Sequence, residues 1–259
     1  NNHVLDWGYA GLKETLETLG EARIRSVGAG MNLEEAESPV VMEVNGKGRV
    51  VVFAFGSPTS GVPLNWAASQ KRAGVNLLRN FSDDTILHIG KKVQEMKQEH
   101  DIVVASIHWG GNWGYHVPME EIDFAHLLID EAGVDIIHGH SSHHVKGIEV
   151  YQDRLILYGC GDFLNDYEGI GGYEYYRGDL GLMYLASVDP LTGKLAQLEM
   201  APTQIKYFKV NRASREDARW LANILNREGK KFGTRVELNE DNGLALFWGR
   251  KRDAGPSLA

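Results

Sequence analysis

The chain has 259 residues, with 27 Lys and Arg against 35 Asp and Glu for a net charge of −8, and it carries 10 His, 30 Gly and a single Cys. A hydrophobic fraction of 43%, with 6 Trp and 10 Tyr, excludes an intrinsically disordered chain, because that much apolar surface offsets the entropy of ordering. The acidic balance excludes a broad nucleic-acid surface, the lone Cys160 excludes a disulfide framework or a multi-cysteine zinc cage, and no apolar run reaches the roughly 18 residues of a membrane-spanning helix.

The chain opens Asn1-Asn2-His3-Val4-Leu5-Asp6, without an initiator Met and without a basic region followed by an apolar stretch. It is therefore expected to be a processed product or a fragment that carries no signal peptide itself. From Tyr9 to Glu21, a stripe of Tyr9, Leu12, Leu16 and Leu19 opposes Lys13, Glu14 and Glu17, which predicts an amphipathic helix. Arg49 to Phe55 is a continuous apolar run ending in Gly56-Ser57-Pro58 and reads as a buried strand. The connection from there to about Asn80 is long enough to suggest function. Asp83 or Asp84 is expected to cap a helix from about Thr85 to Glu99, with Ile86, Ile89, Val93 and Met96 on one face. Asp101 to Ile107 is a second strand. Pro118 to Ala132 is a second helix of this alternation, with Ile122, Ala125, Ile129 and Ala132 facing one way, and Gly133 to Ile137 is a third strand. Strand and helix in alternation imply parallel crossovers packed on a sheet.

After Gly139 the strands come closer together, at Gly147–Tyr151, Arg154–Tyr158, Leu182–Val188 and Leu195–Ala201, with turns at Gln152-Asp153 and Asp189 to Lys194. Ser214-x-x-Asp217 opens a helix to about Arg227, and Gly229 to Trp248 reads as a last pair of short strands. The basic run Gly249-Arg250-Lys251-Arg252 reads as a solvated tail. No repeat or linker appears, so the expectation is one α/β domain over residues 1–259 with mixed sheets flanked by helices, the segment 203–259 packing on it.

Four histidines, His138, His140, His143 and His144, fall together at the end of the third strand, where imidazoles in a Gly-containing loop at the carboxyl edge of a sheet are placed to ligate a metal. His108 ends the preceding strand before Trp109-Gly110-Gly111, and His3 follows Asn2 before the first helix. His88, His100 and His126, on predicted helices, read as ordinary surface or packing residues, and His116 as a loop residue without a special role.

The ordered set Asn1-Asn2-His3, Ser106-Ile107-His108-Trp109-Gly110 and Gly139-His140-Ser141-Ser142-His143-His144, followed by Val145-Lys146-Gly147-Ile148-Glu149-Val150-Tyr151, resembles the CapA-type capsule and poly-γ-glutamate synthesis proteins, a branch of the calcineurin-like metallophosphoesterases. Ser60-Gly61-Val62-Pro63 with Trp66-Ala67-Ala68, and Leu157 to Phe163, extend it over about four-fifths of the chain. The resemblance implies a metallophosphoesterase-like layered fold with Asn2, His108, His140 and His143 as metal ligands and His3 as the group that holds or protonates a phosphate oxygen. It also implies one or two divalent ions, Mn, Fe or Zn, which in two-metal sites of this kind stand roughly 3.5–4 Å apart and activate a water.

Three departures from the family pattern matter. The first aspartate-bearing strand and the acidic segment after it are expected before Asn1, so the site is incomplete in this chain. Asn112 stands where the family often carries Glu, and Asp162 stands where Gly-Asn-Phe is usual. Asp162 then reads as an acceptor for a ligand histidine, with Asn112 and His144 as further supporting or substrate-contacting residues.

By the same resemblance, the expected partners are an anionic polymer or phosphoester and a membrane-bound synthesis complex, with no nucleic acid, and the setting is extracytoplasmic or membrane-associated. Two other readings stay open: a non-catalytic polymer-binding accessory, for which Lys146, Arg177 and Arg212 would supply basic contacts, and a mononuclear zinc amidase on His108, His140 and His143. The walls of the pocket are expected from Gly56–Asn80 and Asn165–Gly178.

Overall fold

A computed structural model describes residues 1–165 and 170–249. The basic run at Arg250-Lys251-Arg252 and Asp166 to Gly169 of the expected pocket wall lie outside the described residues. Six strands form the central sheet: β2 (Val40–Val44), β3 (Gly48–Gly56), β5 (Ile102–His108), β6 (Ile136–His140), β7 (Ile148–Tyr151) and β8 (Arg154–Leu157). Their order is β2-β3-β5-β6-β8-β7, and the inner pairings β3·β5, β5·β6 and β6·β8 are parallel, while β2 and β7 close the two edges antiparallel. The apolar runs seen in β3 and β5 follow from burial on both faces, which removes the alternation that a half-exposed strand would show.

Helices α3 (Asp83–Met96) and α4 (Met119–Asp130) cover one face, where Ile86, Ile89, Val93, Phe124 and Leu128 pack on Phe53, Val103, Ile107 and Ile137. Ser82 caps α3 by accepting the Thr85 N–H, so the cap lies one residue before the expected Asp83 or Asp84, which instead supply negative charge to the first turn. The buried face of α4 is Glu121, Phe124, Ala125 and Leu128, rotated from the expected stripe; Ile122 and Ile129 are only partly buried. Phe124 takes the centre because it stacks on Phe81 at 4.7 Å.

A second sheet, ordered β11-β10-β13-β12 with β9 also paired to β10, comprises β9 (Leu180–Val188), β10 (Leu195–Lys206), β11 (Lys209–Arg212), β12 (Arg235–Leu238) and β13 (Leu244–Phe247). With α5 (Arg215–Gly229), capped by Ser214, it builds a second core in which Leu198, Met200, Leu221 and Leu225 pack with Leu155 and Leu157. Strand β8 thus feeds both cores, Ile156 into the first and Leu155 and Leu157 into the second. β10 runs unbroken through residue 203, where the C-terminal segment was expected to begin. The fold is mixed α/β, with mixed sheets flanked by helices.

Near the N-terminus α1 (Gly8–Glu21) matches the expected helix, although only Leu12 of its stripe is fully buried. The short elements β1 (Ala29–Gly30), α2 (Leu33–Glu37) and β4 (Gly74–Val75) carry no periodicity long enough to read from sequence. β1 and β4 pair with each other, so the long connection after β3 is a built structure. No helix among the described residues is long and apolar enough to cross a membrane.

Candidate metal centre

Strand β6 begins at Ile136 and ends at His140, three residues later than the sequence suggested, so His138 and His140 lie within the strand. Parallel register sets His108 opposite His140 and Ser106 opposite His138. Because side chains alternate along a strand, these four share one face at the carboxyl edge, opposite the α3–α4 face that receives Ile107 and Ile137.

The four form a continuous chain of hydrogen bonds. His138 Nδ1 lies 3.0 Å from Ser106 Oγ, which lies 3.2 Å from His140 Nε2. His140 Nδ1 lies 2.9 Å from His108 Nδ1, and His108 Nε2 lies 3.1 Å from Asn2 Oδ1. An amide oxygen only accepts, so His108 carries its proton on Nε2 and offers a lone pair at Nδ1. His140 then donates from Nδ1, its Nε2 accepts the Ser106 hydroxyl, and Ser106 accepts from His138. One direction satisfies every member while each imidazole stays neutral.

Burial enforces that neutrality: it pushes His108 down to about 3, with nearby positive groups adding to it. His140 is pushed down to about 2, by burial first and then by repulsion from His138 and His108. Burial likewise lowers His138. A buried neutral imidazole is a metal ligand in its binding form.

The loop after β3 secures this edge. Ser60 Oγ and the Ser57 N–H both donate to the His108 carbonyl, at 2.8 and 2.9 Å, and the Gly110 N–H donates to Thr59 Oγ1 at 2.9 Å. Gly139 sits where a Cβ would fall 2.5 Å from Trp109 Nε1 and 2.6 Å from the Leu157 carbonyl, so only glycine lets the strands close beneath the indole. Ser141, at φ 125°, turns the chain away at a strained angle and donates to the Gly110 carbonyl at 3.0 Å.

The remaining expected residues disperse around this pair. His143 lies beyond the turn, its Nδ1 2.9 Å from Asp162 Oδ2 and its ring 5.4 Å from Trp113. Asp162 also accepts from Asn165 Nδ2 at 3.2 Å. Asn112 is exposed, and its main-chain carbonyl accepts the His143 N–H at 3.0 Å. His144 is buried among Trp113, Tyr115 and Tyr176, with Nδ1 bonded to the Val145 carbonyl and Nε2 without a partner; burial pushes it down to about 4. His3 is exposed, its Nδ1 2.7 Å from Asp6 Oδ2 within the first turn. Of the basic candidates, Lys146 is buried and attracted to buried Glu121, Arg177 is paired with Asp179 and Asp217, and Arg212 stands exposed.

A divalent ion fits the donor chemistry in part. The His108 and His140 Nδ1 atoms, on neighbouring strands, are close enough to serve one ion at the 2.0–2.1 Å typical of zinc–imidazole bonds. Yet among the described residues no three His, Cys, Asp or Glu converge to hold a metal, and Asn2 is bonded to the opposite nitrogen of His108. The pair offers two imidazole nitrogens to a cation, with no third His, Cys, Asp or Glu among the described residues to complete the set.

The sequence placed His138 in the histidine cluster without a role of its own and gave no role to Ser106. The available signal was their position two residues before His108 and His140, which fixes them on the same strand face. Tyr173 and Tyr176 lie in the expected pocket wall Asn165–Gly178, but their grouping with Trp113 and Tyr115, in which Trp113 and Tyr173 stack in parallel at 4.3 Å, was not foreseen.

The family model described as bacterial capsule synthesis protein PGA_cap matches residues 1–167. A "Probable polyglutamine synthesis accessory protein" of Mycobacterium tuberculosis is 45% identical over 247 residues, covering 95% of this chain and 65% of that protein. The "Capsule biosynthesis protein CapA" of Bacillus anthracis is 32% identical and the "PGA biosynthesis protein CapA" of Bacillus subtilis 33%, each over 64% of this chain. The chain thus spans 65% of the length of the mycobacterial relative and 39% and 41% of the two Bacillus proteins. Among solved structures, a phosphatase of Mycoplasma pneumoniae aligns over 69% of this chain and 59% of its own, with a TM-score of 0.42 and 13% identity, too distant to carry an argument.

Proposed function

The chain belongs to the bacterial capsule synthesis protein family PGA_cap, and from that premise we propose that it serves the synthesis of an anionic capsule-type polymer of the poly-γ-glutamate class as a metal-dependent hydrolase of phosphoester type. The names of its mycobacterial and Bacillus relatives support the polymer. The observation that carries the chemistry is the His108–His140 pair, two neutral buried imidazoles with Nδ1 atoms 2.9 Å apart at the carboxyl edge of a parallel sheet.

In this reading His108 and His140 hold a divalent ion, with Asn2 and His143 beside them, and the carboxylates that complete the site come from outside the described residues. The ion would act as a Lewis acid on a phosphoryl oxygen and lower the pKa of a bound water. The protein's own part is to position and to manage protons. The proton between the two Nδ1 atoms occupies the place a cation would take, and His140 can clear it by carrying its proton on Nε2 instead, provided that the Ser106 hydroxyl reverses to donate to His138 Nδ1 and His138 carries its own proton on Nε2. Asp162, 2.9 Å from His143 Nδ1, fixes the tautomer that leaves Nε2 as the basic nitrogen. His3, held at Nδ1 by Asp6, would present Nε2 to a leaving oxygen.

The test uses the complete natural protein, loaded in turn with Mn²⁺, Fe²⁺ and Zn²⁺, with metal counted by elemental analysis and turnover followed on a generic phosphodiester. One or two bound ions per chain are expected, with turnover lost in His108→Ala and His140→Ala. Tight poly-γ-glutamate binding with no stoichiometric metal would overturn the hydrolase in favour of a non-catalytic accessory. One zinc per chain with amide hydrolysis would replace it with an amidase.

A further inference from the structure

Beyond His140 the hydrogen-bonded chain continues through Ser106 to His138 and ends there. Ser106 Oγ lies 3.2 Å from His140 Nε2 and 3.0 Å from His138 Nδ1, and a hydroxyl between two imidazoles donates to one while accepting from the other. In the direction that Asn2 sets, Ser106 donates to His140 and accepts from His138. Rotation of the hydroxyl reverses both bonds without losing either. No carboxylate or ammonium at this position would allow that, since the first only accepts and the second only donates. The reversed direction requires His140 and His138 each to carry the proton on Nε2.

The two ends of the chain respond differently to reversal. His138 is half-buried and keeps Nε2 in reach of water, which accepts from an N–H as well as it donates to a bare nitrogen. Both tautomers of His138 are therefore satisfied. His144 shows the opposite case: its Nε2 is sealed without a partner, so its proton stays on Nδ1 and is donated to the Val145 carbonyl. At the other end, reversal leaves the Nδ1 lone pairs of His108 and His140 facing each other across 2.9 Å, which is repulsive unless a cation lies between them. The His138 end thus accepts either direction, and the space between the two Nδ1 atoms chooses it.

We infer that Ser106 and His138 are positioning residues that hold His140 in its cation-binding tautomer, the chain reversing as a unit when the proton between His108 and His140 gives way to a divalent ion. The inference rests on the metal-binding reading of that pair. The proton count closes: His140 Nδ1 releases one to solvent, and His140 Nε2 takes the Ser106 hydroxyl proton. Ser106 Oγ then takes the His138 Nδ1 proton, and His138 Nε2 takes one from water. No imidazole changes its charge, so the half-buried edge receives the ion without gaining a protonated ring beside it. Ligand imidazoles are oriented through their other nitrogen by a hydrogen-bonding partner, and here that partner is a hydroxyl backed by a second imidazole.

The test uses the complete natural protein, isotopically labelled at histidine, with and without stoichiometric Zn²⁺. Long-range proton–nitrogen correlation spectra report the tautomer of each ring, and His138→Gln and His140→Gln identify the two signals. His138 and His140 are both expected to pass from Nδ1–H to Nε2–H when zinc binds. Ser106→Ala is expected to weaken zinc binding by about 10-fold or more, and Ser106→Thr, which keeps the hydroxyl, to restore most of it. A merely structural serine would not move the His138 tautomer, and the spectra of the unaltered protein stand whether or not Ser106→Ala folds. If His138 keeps its tautomer with zinc bound, or if folded Ser106→Ala binds zinc as tightly, the inference is overturned and the pair remains a metal site. Absence of zinc binding by the unaltered protein would overturn both.

Discussion

The two ends of the central sheet bury polar side chains on opposite terms. At the amino edge, buried carboxylates meet cations: Asp101 accepts from the Arg49 guanidinium at 2.5 and 3.0 Å, and Asp135 pairs with Lys97 at 3.0 Å and Arg154 at 3.1 Å while accepting the Val103 N–H at 2.9 Å. At the carboxyl edge, imidazole meets imidazole, hydroxyl and amide, and the chain from His138 to Asn2 contains no charge. A paired charge is electrostatically finished. Neutral lone pairs held out of water are satisfied by sharing protons, and the same lone pairs suit a metal cation. The difference explains why one edge serves stability and the other is the candidate site.

The comparison breaks most visibly at the amino edge. Asp135→Ala leaves Lys97 and Arg154 without their buried counter-ion and should destabilise the protein by about 3–5 kcal/mol, measured by urea unfolding. A loss below about 1 kcal/mol would show that this edge is not the structural one. At the carboxyl edge the corresponding loss is in binding: Asp162→Asn should weaken metal affinity of the complete protein about 10–100-fold, by isothermal titration, with little change in melting temperature. Unchanged affinity would remove Asp162 from any role in orienting His143.

Acid should open the two edges at different pH. His108 and His140 have folded values lowered below the ordinary 6.5, so the unfolded state binds more protons and stability falls as pH drops below about 6.5. In the metal-free protein the loss should reach about 2 kcal/mol for each of the two histidines, about 4 kcal/mol together, by pH 5, and His140→Gln should roughly halve that slope. Asp101 is lowered from 3.8, chiefly by its hydrogen bond from Arg49, so its contribution persists until pH falls below about 4. A melting temperature flat from pH 7 to 5 would contradict this order. The smallest effect is expected for Ser106→Ala, about 1 kcal/mol, because it strips one hydrogen bond from each of His138 and His140. A neutral substitution would mean that water replaces the hydroxyl.

Long apolar runs and helix caps were legible because they are local. Arg49 to Phe55, Asp101 to Ile107 and the Ser214 cap all appear in the structure within a residue or two. The shift of β6 to Ile136–His140 was not, because histidines at 138 and 140 look like a loop until a neighbouring strand accepts their hydrogen bonds. The α4 stripe was misread for a similar reason: Ile122 and Phe124 both satisfy helical spacing, and packing against Phe81 chose Phe124. Glu121 and Lys146, buried beside each other, carry no local sign of burial, since each compensates a charge 25 residues away in sequence.

By itself the sequence determined the α/β class, the alternation that makes the inner sheet parallel, and the family resemblance with its histidines at strand ends. These rest on periodicity and residue type, which are properties of short stretches. Tertiary structure alone decided which histidines meet. Parallel register set His108 against His140, left His3 with Asp6 and buried His144 in an aromatic group, because distances between side chains far apart in sequence are set by how strands pair and pack.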